Sequence, residues 1–244
     1  MDFVLKVNKI SKSFFDEKVE TKVLDKISFE IKSNEIVSIL GPSGCGKSTI
    51  LNILSSLEKP LEGDLIINGK IGYMFQKDAL LPWRTIFNNI CLGFEINKTK
   101  NEKNIEFANK LIEKYNLSDF KNRYPSELSG GMRQRVALIR TLVLNPDLLL
   151  LDEPFSQLDA QKRLLVQDDI FKIIKEEKKS ALIVTHDIGE AIALSDKIII
   201  LSDRPSTIKE IVEIDFNNLT PLERRSNQLF NYYYKMISAQ LGLK

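Results

Sequence analysis

The sequence predicts an α/β domain in which helices wind around a mostly parallel sheet. Residues 36–40 form a short apolar run that ends in glycine, which is typical of a strand buried on both faces. From residue 148 onward, short apolar runs alternate with segments of helical periodicity. The 244 residues are enough for one large domain, or for one domain with an inserted lobe.

The first 70 residues favour strands outside that core. Residues 1–10 alternate apolar and polar side chains, and they are predicted to form a strand rather than a signal peptide. The same alternation at 23–31 and 64–67 predicts an antiparallel layer beside the core. Between these segments, residues 47–57 are predicted to form a helix that follows the glycine-rich turn.

The middle of the chain has a different pattern. Within residues 99–145, apolar side chains recur at helical spacing among lysines and asparagines, namely Ile105, Ala108, Leu111, Ile112 and Tyr115. No strand-like run interrupts them, so this segment is interpreted as an inserted helical lobe. The following strands and helices are predicted at 148–151, 160–177, 181–185, 187–194 and 197–202, and a last helix at 221–241.

Composition excludes several classes of protein. The 35 basic and 33 acidic side chains give a net charge of +2, so no nucleic-acid partner is expected. A single histidine cannot build a multi-histidine metal site, and two cysteines favour neither a zinc site nor a disulfide framework. A reduced, cytoplasmic setting is expected. The longest apolar runs are far below the ~18 residues that span a bilayer, so any membrane component is expected on another chain.

A glycine-rich loop predicts nucleotide binding. The loop fits GxxxxGK[ST] between an apolar strand and a helix, and it consists of Gly41, Pro42, Ser43, Gly44, Cys45, Gly46, Lys47, Ser48 and Thr49. Its backbone N–H groups can converge on phosphate oxygens at the positive end of the helix. Lys47 is expected to contact the β- and γ-phosphates of a nucleotide, and the Ser48 hydroxyl is expected to bind Mg²⁺. The alternative is a glycine-rich turn that merely links strand and helix.

Two adjacent carboxylates support hydrolysis. Asp152 and Glu153 follow four leucines, at the carboxyl edge of the sheet where ligands of such folds bind. Because successive strand residues point apart, Asp152 is assigned to magnesium and Glu153 to the attacking water. The alternative is a solvated turn.

Cys45 carries a separate hypothesis. Its place at a helix N-terminus predicts a lowered thiol pKa, so that alkylation would block ATP binding and ATP would protect. The alternative is a small buried side chain that does not react.

Residues 128–135, LSGGMRQR, resemble the signature motif of the ABC ATPases. Ser129 and the N–H groups of Gly130 and Gly131 form a second potential anion site before a helix expected to begin near Met132. The resemblance implies a head-to-tail homodimer. Each ATP would then be clamped between the glycine loop of one subunit and the signature motif of the other.

The remaining motifs of that family occur in order. Phe14 matches the aromatic residue that stacks on adenine, although Phe15 is a rival and core packing is an alternative. Gln76 matches the glutamine that contacts Mg²⁺ and the attacking water. Asp159 belongs to a loop that crosses the dimer interface, in which Gln157 replaces a more usual alanine. His186 matches the histidine that contacts the γ-phosphate.

The resemblance also implies the architecture and the mechanism. Residues 1–244 would form one ABC nucleotide-binding domain, with a RecA-like core, an antiparallel β-subdomain and an α-helical subdomain at about 90–145. Mg²⁺ and ATP would close the dimer, and Glu153 would act as general base or orient the water. Lys47 and His186 would stabilise charge on the transferred phosphoryl group.

The segment DALLPWRT, which contains the only tryptophan, is interpreted either as core filling or as a docking surface for a partner. It resembles importers of nitrate, sulfonates, taurine and thiamine precursors, in which a membrane permease would dock near Leu80–Arg84. That resemblance implies a peripheral subunit on the cytoplasmic face of the membrane, served indirectly by a periplasmic or extracellular solute-binding protein. Two alternatives remain open at this point: a soluble ABC ATPase acting on nucleic acid or the ribosome, and a P-loop small-molecule kinase.

Overall fold

The computed structural model describes residues 3–16 and 19–242, so the first two residues of the predicted N-terminal strand lie outside it. In chain order, the first half contains β1 (Phe3–Asp16), β2 (Val19–Lys32), β3 (Ile36–Leu40), α1 (Lys47–Leu54), β4 (Glu62–Ile67), β5 (Ile71–Met74), α2 (Ile86–Ile90), α3 (Leu92–Ile96) and α4 (Glu102–Lys114). The second half contains α5 (Gly130–Leu142), β6 (Leu148–Asp152), α6 (Ala160–Glu176), β7 (Ser180–Thr185), α7 (Ile188–Leu194), β8 (Lys197–Leu201), β9 (Ile208–Glu213), α8 (Pro221–Ser226) and α9 (Gln228–Gln240).

The central sheet has the strand order β5-β6-β7-β3-β8-β9. Its strands are parallel from β5 to β8, and β9 pairs with β8 in the antiparallel direction at the edge. Every residue of β3, β7 and β8 is buried, as expected for strands covered by helices on both faces. Parallel strands end at one edge, so the loops after β5, β6, β7 and β3 lie side by side.

The β-rich N-terminal region forms a second, antiparallel sheet in the order β2-β1-β4. Its inward side chains, such as Leu5, Ile27 and Ile31, belong to the same core cluster as Val37 and Ile39 of the central sheet. The predicted antiparallel layer is therefore present beside the wound core.

The predicted helical lobe contains α2, α3 and α4. The buried face of α4 is formed by Ala108, Leu111 and Ile112, at the spacing expected for one helix face, and Asn101 caps the helix by accepting from the Asn104 N–H. These side chains share a core cluster with α5, α6 and β6, so the lobe packs directly on one face of the sheet.

The C-terminal helix differs from its prediction. Where one helix is expected over 221–241, the structure has α8 and α9, separated by Asn227 in an extended conformation. The Asn227 side chain accepts a hydrogen bond from the Leu229 N–H at 2.9 Å and caps α9. Asparagine favours such capping over a helix interior, and this preference breaks the helix.

The predicted helix at 47–57 is also shorter, because α1 ends at Leu54 and Ser56 has a positive φ of 62°. Across residues 3–16 and 19–242, none of the helices combines the length and the apolar composition that crossing a bilayer requires.

Candidate functional site

The glycine loop leaves the end of β3 and leads directly into α1. Gly44 and Gly46 have positive φ values of 75° and 111°, which side chains rarely adopt. A Cβ added at Gly46 would also lie 2.8 Å from Val23 Cγ1. The loop conformation therefore requires glycine at 46 for two independent reasons.

Lys47 begins α1 and is only 6% exposed. Its Nζ donates to the carbonyl oxygens of Gly41 and Pro42, both at 2.9 Å. The ammonium group is therefore held at the loop by two uncharged carbonyl acceptors. Phosphate oxygens that enter the loop would be stronger, charge-assisted acceptors for the same donor.

Asp152 ends β6 close to the start of α1. Its Oδ1 lies 3.5 Å from the Ser48 hydroxyl, and its Oδ2 lies 3.4 Å from the Tyr73 hydroxyl. Burial raises the pKa of Asp152, and the adjacent charge of Glu153 raises it further. Burial also raises the pKa of Tyr73 to about 12, with the charge of Asp152 as a second cause. Sequence reasoning missed Tyr73, since its alternating context indicates only a strand.

Glu153 lies beyond the strand, with a positive φ of 42°. The strand-alternation argument for its direction is therefore wrong, because this backbone conformation turns the residue away from the pleat. The Glu153 N–H still donates to the Val184 carbonyl at 2.9 Å, which ties the residue to β7. Its two carboxylate oxygens lie 3.1 Å from Gln76 Nε2 and 3.2 Å from His186 Nδ1.

Sheet order explains this three-residue cluster. Gln76 follows β5, Glu153 follows β6 and His186 follows β7, and these strands are neighbours in the sheet. Their loops therefore converge at one edge, although the residues are far apart in sequence. The His186 side chain is 57% exposed, whereas that of Glu153 is 21% exposed. The carboxylate is thus enclosed by two polar side chains and remains reachable by water.

The second predicted anion site lies at the start of α5. The Ser129 hydroxyl caps this helix by accepting from the Met132 N–H at 3.3 Å, and the helix begins at Gly130, two residues earlier than expected. A Cβ added at Gly131 would lie 2.6 Å from Val166 Cγ2 of α6. The signature glycines therefore allow close packing of the two helices. Asp159 caps α6 by accepting from the Lys162 N–H at 3.0 Å.

Phe14 lies at the surface, 41% exposed, and the Lys12 ammonium is 5.0 Å from its ring centroid. The core-packing alternative for Phe14 is therefore excluded. Phe15 is 70% exposed, so both rings are available for stacking.

The hypothesis of a reactive Cys45 is wrong about the thiol pKa. The side chain is 2% exposed and belongs to the core cluster of the antiparallel sheet. Burial raises the pKa of Cys45 and outweighs the opposing charge of Lys47. Cys45 can still offer its backbone N–H to a phosphate, since that function does not depend on the thiol.

Two residues that the sequence did not reveal support the loop from outside. The Arg204 guanidinium donates to the Gly44 carbonyl, and the Ser206 hydroxyl donates to the Cys45 carbonyl. Both lie between β8 and β9, in a segment without a motif, so only the fold identifies them.

The predicted docking segment 80–84 is ordered by Asn89 of α2. This buried side chain accepts from the Leu81 N–H at 2.7 Å and donates to the carbonyls of Leu81, Arg84 and Thr85. Trp83 is 71% exposed, whereas Leu80 is 7% exposed. The segment thus presents one large aromatic side chain on a rigid backbone.

The described residues contain no group of three or more histidine, cysteine or acidic side chains able to hold a metal ion. The oxygen donors present at this edge of the sheet include the Ser48 hydroxyl and the Asp152 carboxylate, which lie 3.5 Å apart. Hard oxygen donors of this kind fit Mg²⁺, which completes its coordination with waters and phosphate oxygens.

The fold and the loop define a class of protein, the α/β P-loop nucleotide-binding ATPases. Residues 24–156 match the family described as ABC transporter. The chain belongs to this family, and it is an ATP-binding ATPase of the transporter type.

Known proteins resemble the chain over most of its length. An uncharacterized ABC transporter ATP-binding protein of Methanocaldococcus jannaschii is 41% identical, over 98% of this chain and 91% of the relative. The aliphatic sulfonates import ATP-binding protein SsuB of Bacillus anthracis is 39% identical, over 92% of this chain and 90% of the relative. A solved ATP-binding cassette, described as a dimeric post-hydrolysis state bound to ADP and Pi, has a TM-score of 0.73 and 30% identity, over 87% of this chain and 99% of that chain.

These relatives confirm the predicted family, fold class and ATPase activity. The alternative of a P-loop small-molecule kinase is therefore wrong.

Proposed function

We propose that the chain is the ATP-hydrolysing subunit of a solute importer, and that it drives a membrane permease by ATP-dependent dimer closure. The observation that carries this proposal is the Glu153 carboxylate, held between Gln76 and His186 at 3.1 and 3.2 Å beside the glycine loop. A carboxylate in this position can orient and deprotonate a water molecule that attacks the γ-phosphate.

The glycine loop supplies the phosphate site. Its N–H groups bind the β-phosphate, and Lys47 exchanges its carbonyl partners for phosphate oxygens. Ser48, Asp152 and Gln76 would hold Mg²⁺ through their side-chain oxygens, and the bound ion would neutralise charge on the phosphates. A nearby cation would also favour the ionised form of Asp152, whose pKa is raised by burial and by Glu153 in this structure.

The hydrolytic step is assigned to the three clustered side chains. Glu153 accepts the proton of the attacking water, while Gln76 and His186 fix the direction of its carboxylate. His186 is exposed enough to reach a γ-phosphate as well, where it stabilises the charge that develops during transfer. Phe14 stacks on the adenine, with Phe15 as the alternative ring.

Two copies are proposed to form a head-to-tail dimer. Ser129, Gly130 and Gly131 at the start of α5 present N–H groups to the ATP that is bound by the other copy, and Asp159 lies in the interface loop. The dimeric, nucleotide-bound state of the solved relative supports this arrangement.

Import is supported by the name of the SsuB relatives, which act in aliphatic sulfonate import. The permease is proposed to dock on residues 80–84, around the exposed Trp83, and the subunit then lies on the cytoplasmic face of the membrane. The solute is proposed to belong with sulfonates, nitrate, taurine or thiamine precursors, delivered to the permease by a solute-binding protein.

Phosphate release and ATP-dependent dimerisation of Glu153→Gln test the catalytic part. We expect nearly complete loss of hydrolysis, with dimers that persist in ATP on size-exclusion chromatography. Glu113→Gln, a matched change at an exposed helix position, should hydrolyse ATP normally. Hydrolysis by Glu153→Gln near the wild-type rate would contradict the assignment.

Co-purification from membranes tests the transport part. The wild-type chain should be recovered with a permease, and Trp83→Ala should weaken that association while retaining basal ATPase activity. Tyr232→Ala, which changes another exposed aromatic side chain, serves as the control. Stimulation of the ATPase by DNA or ribosomes, without a permease, would instead favour the soluble alternative.

A further inference from the structure

The C-terminal helices pack on the element that follows His186. Helix α8 contacts α6 and α7, and α9 contacts α7. Ile237 of α9 is fully buried in a cluster with Ile188 and Ile192 of α7. Residues 221–240 therefore form part of the environment of α7, although no motif of the sequence lies in them.

A chain of polar contacts crosses this packing. Arg225 of α8 donates to Gln167 Oε1 at 3.0 Å, and Gln167 Nε2 lies 3.4 Å from Glu190 Oε2. The Glu190 N–H donates to Asp187 Oδ1 at 2.9 Å. The Asp187 carboxylate also lies 3.7 Å from Nη1 of Arg163. We call these five residues the α7 polar cluster.

The centre of the α7 polar cluster is buried, whereas Arg163 and Asp187 at its outer end are partly exposed. Gln167 is 0% exposed and Glu190 is 4% exposed. Within the described residues, Glu190 Oε1, Arg163 Nε and Arg225 Nε are buried without a hydrogen-bond partner. Loss of one more partner would leave further polar atoms unpaired in a site from which water is largely excluded.

The cluster connects directly to the catalytic edge. Asp187 follows His186 in sequence and caps α7, and its N–H donates to the Thr185 hydroxyl at the end of β7 at 3.1 Å. Arg163 also donates to the Leu158 carbonyl at 2.9 Å, in the loop before Asp159. A tilt of α7 would therefore move the backbone of His186 relative to Glu153.

Arg225 approaches α7 at its first turn. A Cβ added at Gly189 would lie 3.1 Å from Arg225 Nη1 and 3.3 Å from Asp187 Oδ1. The guanidinium group thus occupies the space beside Gly189, and glycine there permits the contact. Its positive charge also faces the Asp187 carboxylate.

We propose that Arg225, on the C-terminal helix α8, is a positioning residue for His186, and that residues 221–240 set the rate of ATP hydrolysis through α7. This inference rests on the proposed catalytic function of His186. Arg225 is assigned no contact with ATP or with the attacking water; it holds the first turn of α7, and His186 lies just before the residue that caps this helix.

The test is the steady-state kinetics of Arg225→Gln in the full chain. We expect kcat to fall about tenfold while the KM for ATP stays within about twofold, because the glycine loop is untouched. Arg225→Lys should recover part of kcat, since an ammonium can still donate to Gln167. Lys235→Gln, an exposed change on α9, should have no effect.

A double-mutant cycle separates positioning from general damage. In a His186→Ala background, Arg225→Gln should cause no further loss of the residual activity. The same fold loss in both backgrounds, or an unchanged kcat of the single variant, would overturn the proposal. A His186→Ala chain with full activity would instead contradict the proposed function itself.

Gly189→Ala provides a second variant if Arg225→Gln folds poorly. The added methyl group displaces the guanidinium without deleting a polar group, so kcat should again fall at constant KM. Nucleotide affinity and the midpoint of thermal unfolding, measured on the same samples, report whether the fold and the glycine loop are intact. A normal kcat in a folded Gly189→Ala chain would also count against the proposal.

Discussion

At the scale of single residues, the burial of ionisable groups determines the chemistry more than their position in a motif. Cys45 lies in the glycine loop and Glu190 lies on α7 after His186, and burial raises the pKa of both side chains. Glu153, by contrast, retains a 21% exposed side chain between Gln76 and His186, at the proposed catalytic site. Motif matching cannot distinguish these environments, because burial depends on residues that are distant in sequence.

Glu190 makes the stability of the fold depend on pH. Burial, and then the charge of Asp187, raise its pKa from 4.5 to about 8. Between pH 4.5 and about pH 8, Glu190 is ionised in the unfolded chain and protonated in the native chain. The free energy of unfolding therefore falls as the pH rises through this range. The free energy of unfolding falls by at most about 1.4 kcal/mol per pH unit, and this decrease is complete above pH 8.

Urea unfolding of the wild type and Glu190→Gln from pH 5 to 9 measures this effect. The wild type should lose stability relative to the variant up to about pH 8, after which the difference should become constant. A difference that does not change with pH would show that Glu190 is ionised in the native state throughout this range.

Cys45 should react slowly with thiol reagents. It is 2% exposed and Cys91 is fully buried, so the native chain should show no rapid phase with an aromatic disulfide reagent, with or without ATP. Unfolding in urea should release both thiols. Rapid labelling of Cys45 that ATP suppresses would restore the original hypothesis of a reactive thiol in the loop.

At the scale of elements, α2 and α5 hold the segment that runs from Gln76 to the proposed docking surface. Arg140 of α5 donates to the carbonyls of Asp78 and Ala79, both at 2.7 Å, and Arg133 pairs with the Asp78 carboxylate at 2.9 Å. These contacts place Gln76 and Trp83 at the two ends of one constrained stretch. A change at the docking surface can therefore reach Gln76 through a backbone that has little freedom.

Asn89→Leu tests the rigidity of this segment. The variant removes four hydrogen bonds to the backbone of 81–85, one that the side chain accepts and three that it donates. We expect a loss of roughly 2–3 kcal/mol in the free energy of unfolding. Permease-stimulated ATPase activity should fall further than basal activity, because the glycine loop does not contact Asn89. Asn88→Leu, at a neighbouring half-buried position, is the matched control. Equal effects of the two variants would contradict a specific function of Asn89.

At the scale of the whole molecule, the strand order brings distant sequence segments to one edge of the central sheet. The glycine loop and the signature motif, however, lie at the starts of two different helices of the same chain. The loop leads into α1, whereas Ser129 caps α5, whose first glycines pack toward Leu158 and Val166 of the α6 region. A dimer in which these parts meet across the interface is the proposed solution.

Mixing of two inactive variants tests that dimer. Lys47→Ala and Ser129→Arg should each abolish hydrolysis alone, for different reasons. In a head-to-tail dimer of the two, one composite site keeps both Lys47 and Ser129, so the mixture should hydrolyse more ATP than the two separate samples together. No gain on mixing, although mixed dimers form, would contradict the shared site.

The motifs of the site were predictable because each depends on local chemistry. Glycine at 44 and 46 is required by backbone conformation, and the acids after β6 follow a recognisable apolar run. The split of the C-terminal helix was not predicted, although Asn227 carried a local signal for it. The contacts of Tyr73, Arg204 and Arg225 were not predicted, because they join segments that no motif spans.

The sequence by itself determined the family, the wound α/β core and the residues of the phosphate loop. These depend on periodicity and on short segments whose conformation is local. Only the tertiary structure decided that Glu153 lies between Gln76 and His186, that Cys45 is buried, and that α8 reaches the first turn of α7. The physical reason is that burial and long-range hydrogen bonds arise from packing, which brings together side chains whose separation along the chain carries no information about their contact.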